Sequence, residues 1–200
     1  SGYHGSMDFY IDGTLSDWAK IIKGRFEANT TSASSIDGII NSSNAGGGAY
    51  NLYLNNEGFT DKHNNLEEID EIATGGLSFL NFDYVRTKEL YIPKTINKLG
   101  NGSFFGIKKL DKLEFEEVSE VEEIPKWCFA CIGTTSTSLN LEIKPPKCKI
   151  INNFAFYKLN MTNINLQEGV ESINIYAFTD CGRLKEIKLP KFNKGSLTNI

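Results

Sequence analysis

The chain has little of what nucleic-acid-binding and membrane-spanning proteins depend on. Lysine and arginine (21) do not outnumber aspartate and glutamate (25), and the formal net charge is −4. A nucleic-acid partner would need a basic stripe to neutralise its phosphates. No apolar run approaches the roughly 18 to 20 residues of a membrane span, and no signal peptide is visible ahead of Met7. We expect neither a nucleic-acid partner nor membrane insertion.

Histidine is also scarce, and this limits the catalytic chemistry available. Of the two histidines, His4 lies in residues 1–6, which we interpret as a cloning remnant, and His63 lies in a polar stretch. A catalytic histidine needs an oriented carboxylate and a nucleophile within reach. We therefore predict that the protein is not an enzyme and has no cofactor or bound metal. An enzyme without a recognisable motif is kept as a second alternative.

What the sequence has in abundance is one apolar frame. An aliphatic residue is followed three positions later by another, and five positions further on by a large apolar side chain. The five instances are Ile69/Ile72/Leu77, Ile96/Leu99/Phe104, Val121/Ile124/Phe129, Cys148/Ile151/Phe156 and Val170/Ile173/Phe178. A frame recurring every 22 to 27 residues is typical of a solenoid built from stacked repeats.

A short segment of alternating apolar and polar residues precedes each frame, as expected for a strand with one buried face. Units this short cannot return antiparallel and keep register, so we predict that successive strands stack in parallel. The middle residue of each segment would point away from the core and line a concave strip. The strip comprises Tyr53, Tyr91, Glu114, Glu142, Asn165 and Lys188, with Glu116, Lys144 and Gln167 one step further along.

Residues 7–50 are predicted to cap the N-terminal end of the array. Apolar residues at helical spacing predict a helix from Asp12 to Gly24, with Ser16 as its N-cap and Trp18 on its buried face. A polar loop follows over residues 29–48, and the solenoid of five to six repeats would occupy residues 51–200. Residues 191–200 show no comparable cap, which suggests truncation within a longer array.

Four cysteines raise the questions of redox chemistry and zinc binding. Cys128 and Cys131 stand in a Trp-Cys-x-x-Cys sequence, the spacing of a redox pair or of two zinc ligands. The strand-to-helix setting of a redox motif is absent, and Cys148 and Cys181 are single, so a second paired set of ligands is missing. We predict four reduced cysteines that fill the core.

Glutamates cluster between Glu114 and Glu123, where a glycosidase could carry paired carboxylates. Phe115, Val118 and Val121 occupy the apolar positions of the same stretch. We therefore predict that these acids lie on the exposed face, as a solvated surface or as an acidic patch for a basic partner.

The run from Ile164 to Leu184 resembles the BspA-like, or Treponema-type, leucine-rich repeat, and so does Leu90-Tyr-Ile-Pro93 with its following frame. The helix around Trp18 resembles the head of such arrays. The resemblance extends over residues 9–190. It implies an α/β-type, β-rich leucine-rich-repeat solenoid, a right-handed superhelix with parallel strands on its concave face and an N-terminal helical cap.

The family is mostly associated with microbial surface proteins that adhere to host components, to other cells or to each other. The resemblance therefore implies a cell-surface or secreted adhesion module that binds a protein or glycan partner along the concave strip. Tyr53 and Tyr91 are the best anchors there, since tyrosine offers contact area at low entropy cost. A structural component of a phage or filament, self-associating through its repeat ends, is the alternative.

Overall fold

The computed structural model describes residues 7–23, 49–58, 66–82, 88–132, 140–142, 147–159, 161–166 and 169–188. The elements in these ranges are short. They are β1 Met7–Ile11, α1 Leu15–Ala19, β2 Tyr50–Leu54, β3 Glu57–Gly58, β4 Glu71–Ile72, β5 Glu89–Ile92, β6 Lys98–Leu99, β7 Lys112–Phe115, β8 Glu123–Ile124, β9 Asn140–Glu142, β10 Ile150–Ile151, β11 Asn163–Asn165, β12 Ser172–Ile173 and β13 Glu186–Lys188.

Parallel pairing dominates the small sheets. Strands β5, β7 and β9 form one sheet, and β11 pairs with β13. A second series joins β4 to β6, and β8, β10 and β12 to one another. Among the described residues only β2 and β3 pair antiparallel. The predicted parallel stacking of strands from successive repeats is confirmed for β5, β7 and β9 and for β11 and β13.

The second series of strands was not predicted. Each of its strands has two residues, too few to show an alternating pattern, and ends on the second residue of the apolar frame. Those residues are Ile72, Leu99, Ile124, Ile151 and Ile173, all buried. Pairing with a neighbouring repeat supplies the hydrogen bonds that so short a strand cannot make alone.

The apolar frame forms the core. Every frame side chain belongs to one hydrophobic cluster, and all are buried except Phe178, which is partly buried. The rings of Phe104, Phe129, Phe156 and Phe178 stack in sequence, with centroids 5.1, 5.6 and 5.0 Å apart. We call these four rings the phenylalanine spine. Because each ring contacts the rings of its neighbours, burial is continuous from repeat to repeat.

A turn with two left-handed residues surrounds each large apolar frame residue. The positions two before and two after it have positive φ, namely Gly75 and Phe79, Gly102 and Gly106, Trp127 and Cys131, Phe154 and Lys158, and Tyr176 and Asp180. This conformation suits glycine and costs other residues roughly 1–2 kcal/mol. Stacking offsets the cost in the later turns, since the Trp127 ring lies 4.2 Å from that of Phe154, which is 5.1 Å from that of Tyr176.

The N-terminal part departs from the prediction. A strand, β1, precedes the helix and pairs in parallel with β2, from Met7 opposite Tyr50 to Ile11 opposite Leu54. This strand was not predicted, although residues 7–11 are rich in β-forming side chains.

The predicted helix from Asp12 to Gly24 is wrong in its extent and in its cap. Helix α1 covers only Leu15–Ala19, and its N-cap is Thr14, whose side chain accepts a hydrogen bond from the Asp17 backbone N–H at 3.2 Å. The Asp17 carboxylate accepts the Thr14 N–H in return at 2.9 Å. Ser16, the predicted cap, is buried. The sequence contains the Thr14-x-x-Asp17 pattern of a capping box. Its two reciprocal hydrogen bonds stabilise the helix start at Thr14 in preference to Ser16.

Helix α1 packs against the first sheet and the first described repeat. The Trp18 indole N–H donates to the Tyr50 hydroxyl at 2.8 Å, and the Ala73 N–H donates to the Ala19 carbonyl at 3.0 Å. The Lys23 ammonium donates to the carbonyls of Trp18 (2.5 Å) and Gly76 (2.5 Å), among others. No helix in the described ranges is both long and apolar enough to cross a bilayer.

Two predicted apolar positions are wrong. Val118 is 56% exposed, and Ser119 takes the buried position beside it. The Ser119 Oγ accepts a hydrogen bond from the Val121 N–H at 3.4 Å. The turn therefore buries the Ser119 hydroxyl instead of the Val118 side chain. Ile187, expected inside β13, is 37% exposed because β13 has β11 as its only strand partner within the described residues.

Candidate functional site

The centre of the predicted strip forms one face. Tyr91 is the register partner of Glu114, which is in turn the partner of Glu142, across β5, β7 and β9. Glu116 follows β7 directly. Lys144 lies outside the described residues. We call Tyr91, Glu114 and Glu116 the tyrosine–glutamate face.

The ends of the strip lie in other sheets. Asn165 and Lys188 are register partners in the sheet of β11 and β13. Tyr53 belongs to the sheet of β1, β2 and β3, where its partner is Tyr10. The expected single line from Tyr53 to Lys188 is therefore divided among three sheets. β2 pairs with β1 and β3, and among the described residues β11 pairs with β13 in a sheet of its own.

Tyr91 is held in place by its surroundings. Its side chain is 43% exposed between the buried Leu90 and Ile92. Partial burial, followed by the negative charge of Glu116 and a hydrogen bond to it, raises the pKa of Tyr91. Glu116 Oε2 also accepts the Lys94 backbone N–H at 2.8 Å. A carboxylate that is itself anchored to the backbone therefore lies near the phenol of Tyr91 and favours its protonated form.

Glu114, the second member of this face, forms an ion pair with Lys112 of the same strand (2.5 Å). Both side chains are more than a third exposed, so the pair contributes little to stability. Glu114 therefore remains accessible from solvent, and its charge also contributes to the raised pKa of Tyr91.

A second aromatic feature lies on β1 and β2. The rings of Tyr10 and Tyr53 stack with centroids 4.7 Å apart and planes inclined by 13°. Beside them, the Asn81 amide donates to the Asn51 side-chain oxygen at 2.9 Å, and the Asn51 amide donates to Asp8 Oδ1 at 2.8 Å. Sequence reasoning missed Tyr10 because it missed β1.

Of the glutamates expected on the exposed face, Glu120, Glu122 and Glu123 lie beside the second series of strands. They border a groove of about 600 Å³ whose lining includes Glu71, Lys98 and Glu122. Glu71 forms an ion pair with Lys98 (2.9 Å), and Glu122 with Lys149 (2.9 Å). These pairs join neighbouring repeats. In the described ranges no group of three or more histidine, cysteine, aspartate or glutamate side chains is arranged to hold a metal ion.

None of the four cysteines forms a disulfide in the part of the chain that the structure describes. Burial raises the pKa of Cys128, and that of Cys148 to about 12. Trp127 and Cys131 lie in a turn with positive φ rather than at the start of a helix. No helix N-terminus is therefore present to stabilise a thiolate, and Cys128 and Cys148 act as small core residues.

A family model described as the BspA type leucine rich repeat region matches residues 78–200 in six copies. No curated protein matches the sequence significantly. Among solved structures, the crystal structure of the pneumococcal vaccine antigen PcpA is similar, with 21% sequence identity and a TM-score of 0.37. The alignment covers 70% of this chain and 33% of PcpA, so the chain spans about a third of that protein. This TM-score is too low for the likeness to bear on fold or function.

Proposed function

The chain belongs to the BspA-type leucine-rich-repeat family, and on that premise we propose that it is a non-enzymatic recognition and adhesion module of a cell surface or secreted protein. Its repeats form a right-handed superhelix whose first repeat is capped by helix α1. Its partner is a protein bound along the tyrosine–glutamate face. The observation that supports this site most directly is the register of Tyr91 with Glu114 and Glu142 across three parallel strands.

Pre-organisation favours Tyr91 as the anchor. A tyrosine that is already ordered loses little entropy when a partner covers it. Tyr91 stands on a strand between two buried neighbours, and the Glu116 carboxylate lies near its phenol. Its exposed ring therefore offers an apolar surface with a fixed polar tip, which is the character of residues that dominate binding energy at interfaces.

Charge defines the kind of protein that fits. Glu114 and Glu116 flank Tyr91, and the negative charge of Glu67 also reaches the tyrosine. An acidic surface around an aromatic anchor attracts a basic patch and steers its approach. Association should therefore slow as salt rises, because exposed charges are screened over about 8–10 Å at physiological ionic strength.

The test measures binding of a panel of purified extracellular-matrix proteins to the immobilised chain by biolayer interferometry. For any protein that binds, the Tyr91→Ala/Glu114→Lys variant should weaken affinity about tenfold or more. The matched control is Tyr176→Ala/Glu171→Lys, which changes an exposed tyrosine and an exposed glutamate in another repeat. Equal loss in both variants, or none in either, contradicts the assignment of this face.

Assembly through the repeat ends is the second candidate function. It is favoured by apolar side chains exposed in the last described repeats, among them Ile175, Tyr176 and Ile187. Light scattering coupled to size exclusion over a wide range of protein concentration separates the two functions. A monomer at every concentration supports recognition, and growth of dimers or chains supports assembly.

A further inference from the structure

We infer that the outer edge of the β1–β2 sheet binds neutral sugars, through the outward ring face of Tyr10 and the carboxylate of Asp8. This site lies in a different sheet from the tyrosine–glutamate face. It does not require the protein partner proposed above, so the two proposals can fail independently.

The stacking geometry leaves one face of Tyr10 turned outward. Tyr10 and Tyr53 are register partners, and their ring centroids are 4.7 Å apart. This equals the spacing of adjacent strands, so the rings stand side by side along the hydrogen-bonding direction of the sheet. One face of Tyr10 contacts Tyr53. The other faces away from β2, because β1 is the outer strand of this sheet among the described residues. The side chain is 60% exposed.

A carboxylate stands next to that ring. Asp8 precedes Tyr10 by two residues and so projects from the same face of β1, about 7 Å along the strand. The chain of hydrogen bonds from Asn81 through Asn51 ends on Asp8 Oδ1. This chain orients the carboxylate but uses little of its capacity, since an ionised carboxylate has about four acceptor positions. Acceptor positions on the Asp8 carboxylate therefore remain for a ligand on the same face of β1 as Tyr10.

A pyranose fits this combination of groups. Its C–H face is apolar and slightly positive, and it matches the negative face of an aromatic ring. Its hydroxyls at the ring edge can donate charge-assisted hydrogen bonds to Asp8. A nucleic-acid base would also stack on Tyr10, but Asp8 and the net charge of −4 oppose its phosphates. A small cation over the ring is the competing ligand.

Saturation-transfer difference NMR tests the inference with methyl glycosides of glucose, galactose and N-acetylglucosamine. Irradiation of the protein's aromatic protons should transfer saturation to the C–H protons on one face of at least one of these sugars. The Tyr10→Phe variant keeps the ring and should keep the effect. Tyr10→Leu and Asp8→Ala should each weaken binding about tenfold, the scale of losing one stacking contact or one charge-assisted hydrogen bond.

Tyr176→Leu is the matched control. Tyr176 is 54% exposed and stacks on another aromatic ring, that of Phe154 at 5.1 Å, as Tyr10 stacks on Tyr53. Its replacement should leave the sugar signal unchanged. Amide spectra of each variant establish that it is folded, and the exposed Asp8→Ala variant supports the test if Tyr10→Leu does not fold.

Three results would overturn the inference. They are no transfer to any of the sugars, equal transfer in the wild type and the folded Asp8→Ala variant, and shifts of the Tyr10 signals by tetramethylammonium but by no sugar. The last result would identify a cation site instead. The Tyr91→Ala/Glu114→Lys variant should lose protein binding and keep the sugar signal. This difference distinguishes the two sites.

Discussion

Folding places the Lys23 side chain in a partly buried site. Its ammonium donates to the carbonyls of Trp18, Ile21 and Gly76, and lies 4.3 Å from the centre of the Trp18 ring. Burial lowers the pKa of Lys23 to about 7. The hydrogen bonds and the burial therefore have opposite effects on the ammonium, since the carbonyls favour the charged form and burial disfavours it.

The lowered pKa predicts a pH dependence of stability. Between about pH 7 and about pH 10 the unfolded chain binds more protons at Lys23 than the folded chain, because a free lysine has a pKa near 10.4. The free energy of unfolding should therefore rise with pH in this window, relative to that of the Lys23→Met variant. Urea denaturation of both proteins at several pH values measures the difference. Parallel pH profiles would show that the carbonyls and Trp18 fully offset the burial.

At Gly100 the neighbouring repeat leaves no room for a side chain. A Cβ there would overlap the backbone nitrogen of Thr74 in the preceding repeat. Gly100→Ala should therefore lower the melting temperature by several degrees, as one repeat is pushed from the next. Gly182→Ala is the control, because nothing lies within 4 Å of a Cβ at that position. Equal melting temperatures for the two variants would contradict the close approach of the repeats.

At the scale of elements, neither series of strands is stable on its own. Strands of two to four residues gain their hydrogen bonds from neighbouring repeats and their burial from the frame residues they carry. The turns contribute through a second cluster outside the main core, formed by Phe105, Trp127, Ala130, Phe154 and Tyr157. Neighbouring repeats therefore pack against each other in two places, in the main core around Phe129 and in this second cluster.

The phenylalanine spine supports a prediction at this scale. Phe129 is fully buried between Phe104 and Phe156. Phe129→Ala should reduce the free energy of unfolding by about 3–5 kcal/mol, the usual cost of removing a buried phenylalanine ring. Val118→Ala, at an exposed position of the same repeat, should change it by less than about 0.5 kcal/mol. Chemical denaturation followed by tryptophan fluorescence measures both. A small effect at Phe129 would contradict a continuous core.

The elements also show where sequence patterns stop being informative. The frame predicted core residues between Ile69 and Phe178 because the spacing of apolar side chains within each frame is constant. Alternation predicted β2, β5, β7, β9, β11 and β13. It did not predict the two-residue strands, which are too short for any periodicity. Positive φ at Trp127, Phe154 and Tyr176 has no local signature, because it depends on rings stacking between repeats.

At the scale of the whole molecule, stacked repeats predict a gradient of protection. Contacts in a repeat array run between neighbours, so an inner repeat is held on two sides and an outer one on fewer. Hydrogen–deuterium exchange followed by mass spectrometry should find the slowest amides around Phe129 and Phe156 and faster ones in β1 and β13. Uniform exchange along the described ranges would indicate one fully cooperative unit instead.

The candidate site was predictable only in its centre. Tyr91, Glu114 and Glu142 share a strand position relative to the frame, so their register followed from the repeat. Tyr53 was placed with them on the same reasoning. Pairing of β2 with β1 separated it, and the sequence had no repeat signal to reveal that partner.

The sequence by itself determined the repeat, the buried frame residues and the parallel stacking of strands, since apolar side chains in a recurring frame are buried when successive repeats stack on one another. Tertiary structure alone decided which residues meet across strands at the N-terminal end, including Tyr10 with Tyr53 and Asn51 with Asp8. Those contacts join residues about forty positions apart. Their packing depends on which strand pairs with which, and the local sequence does not specify that partner.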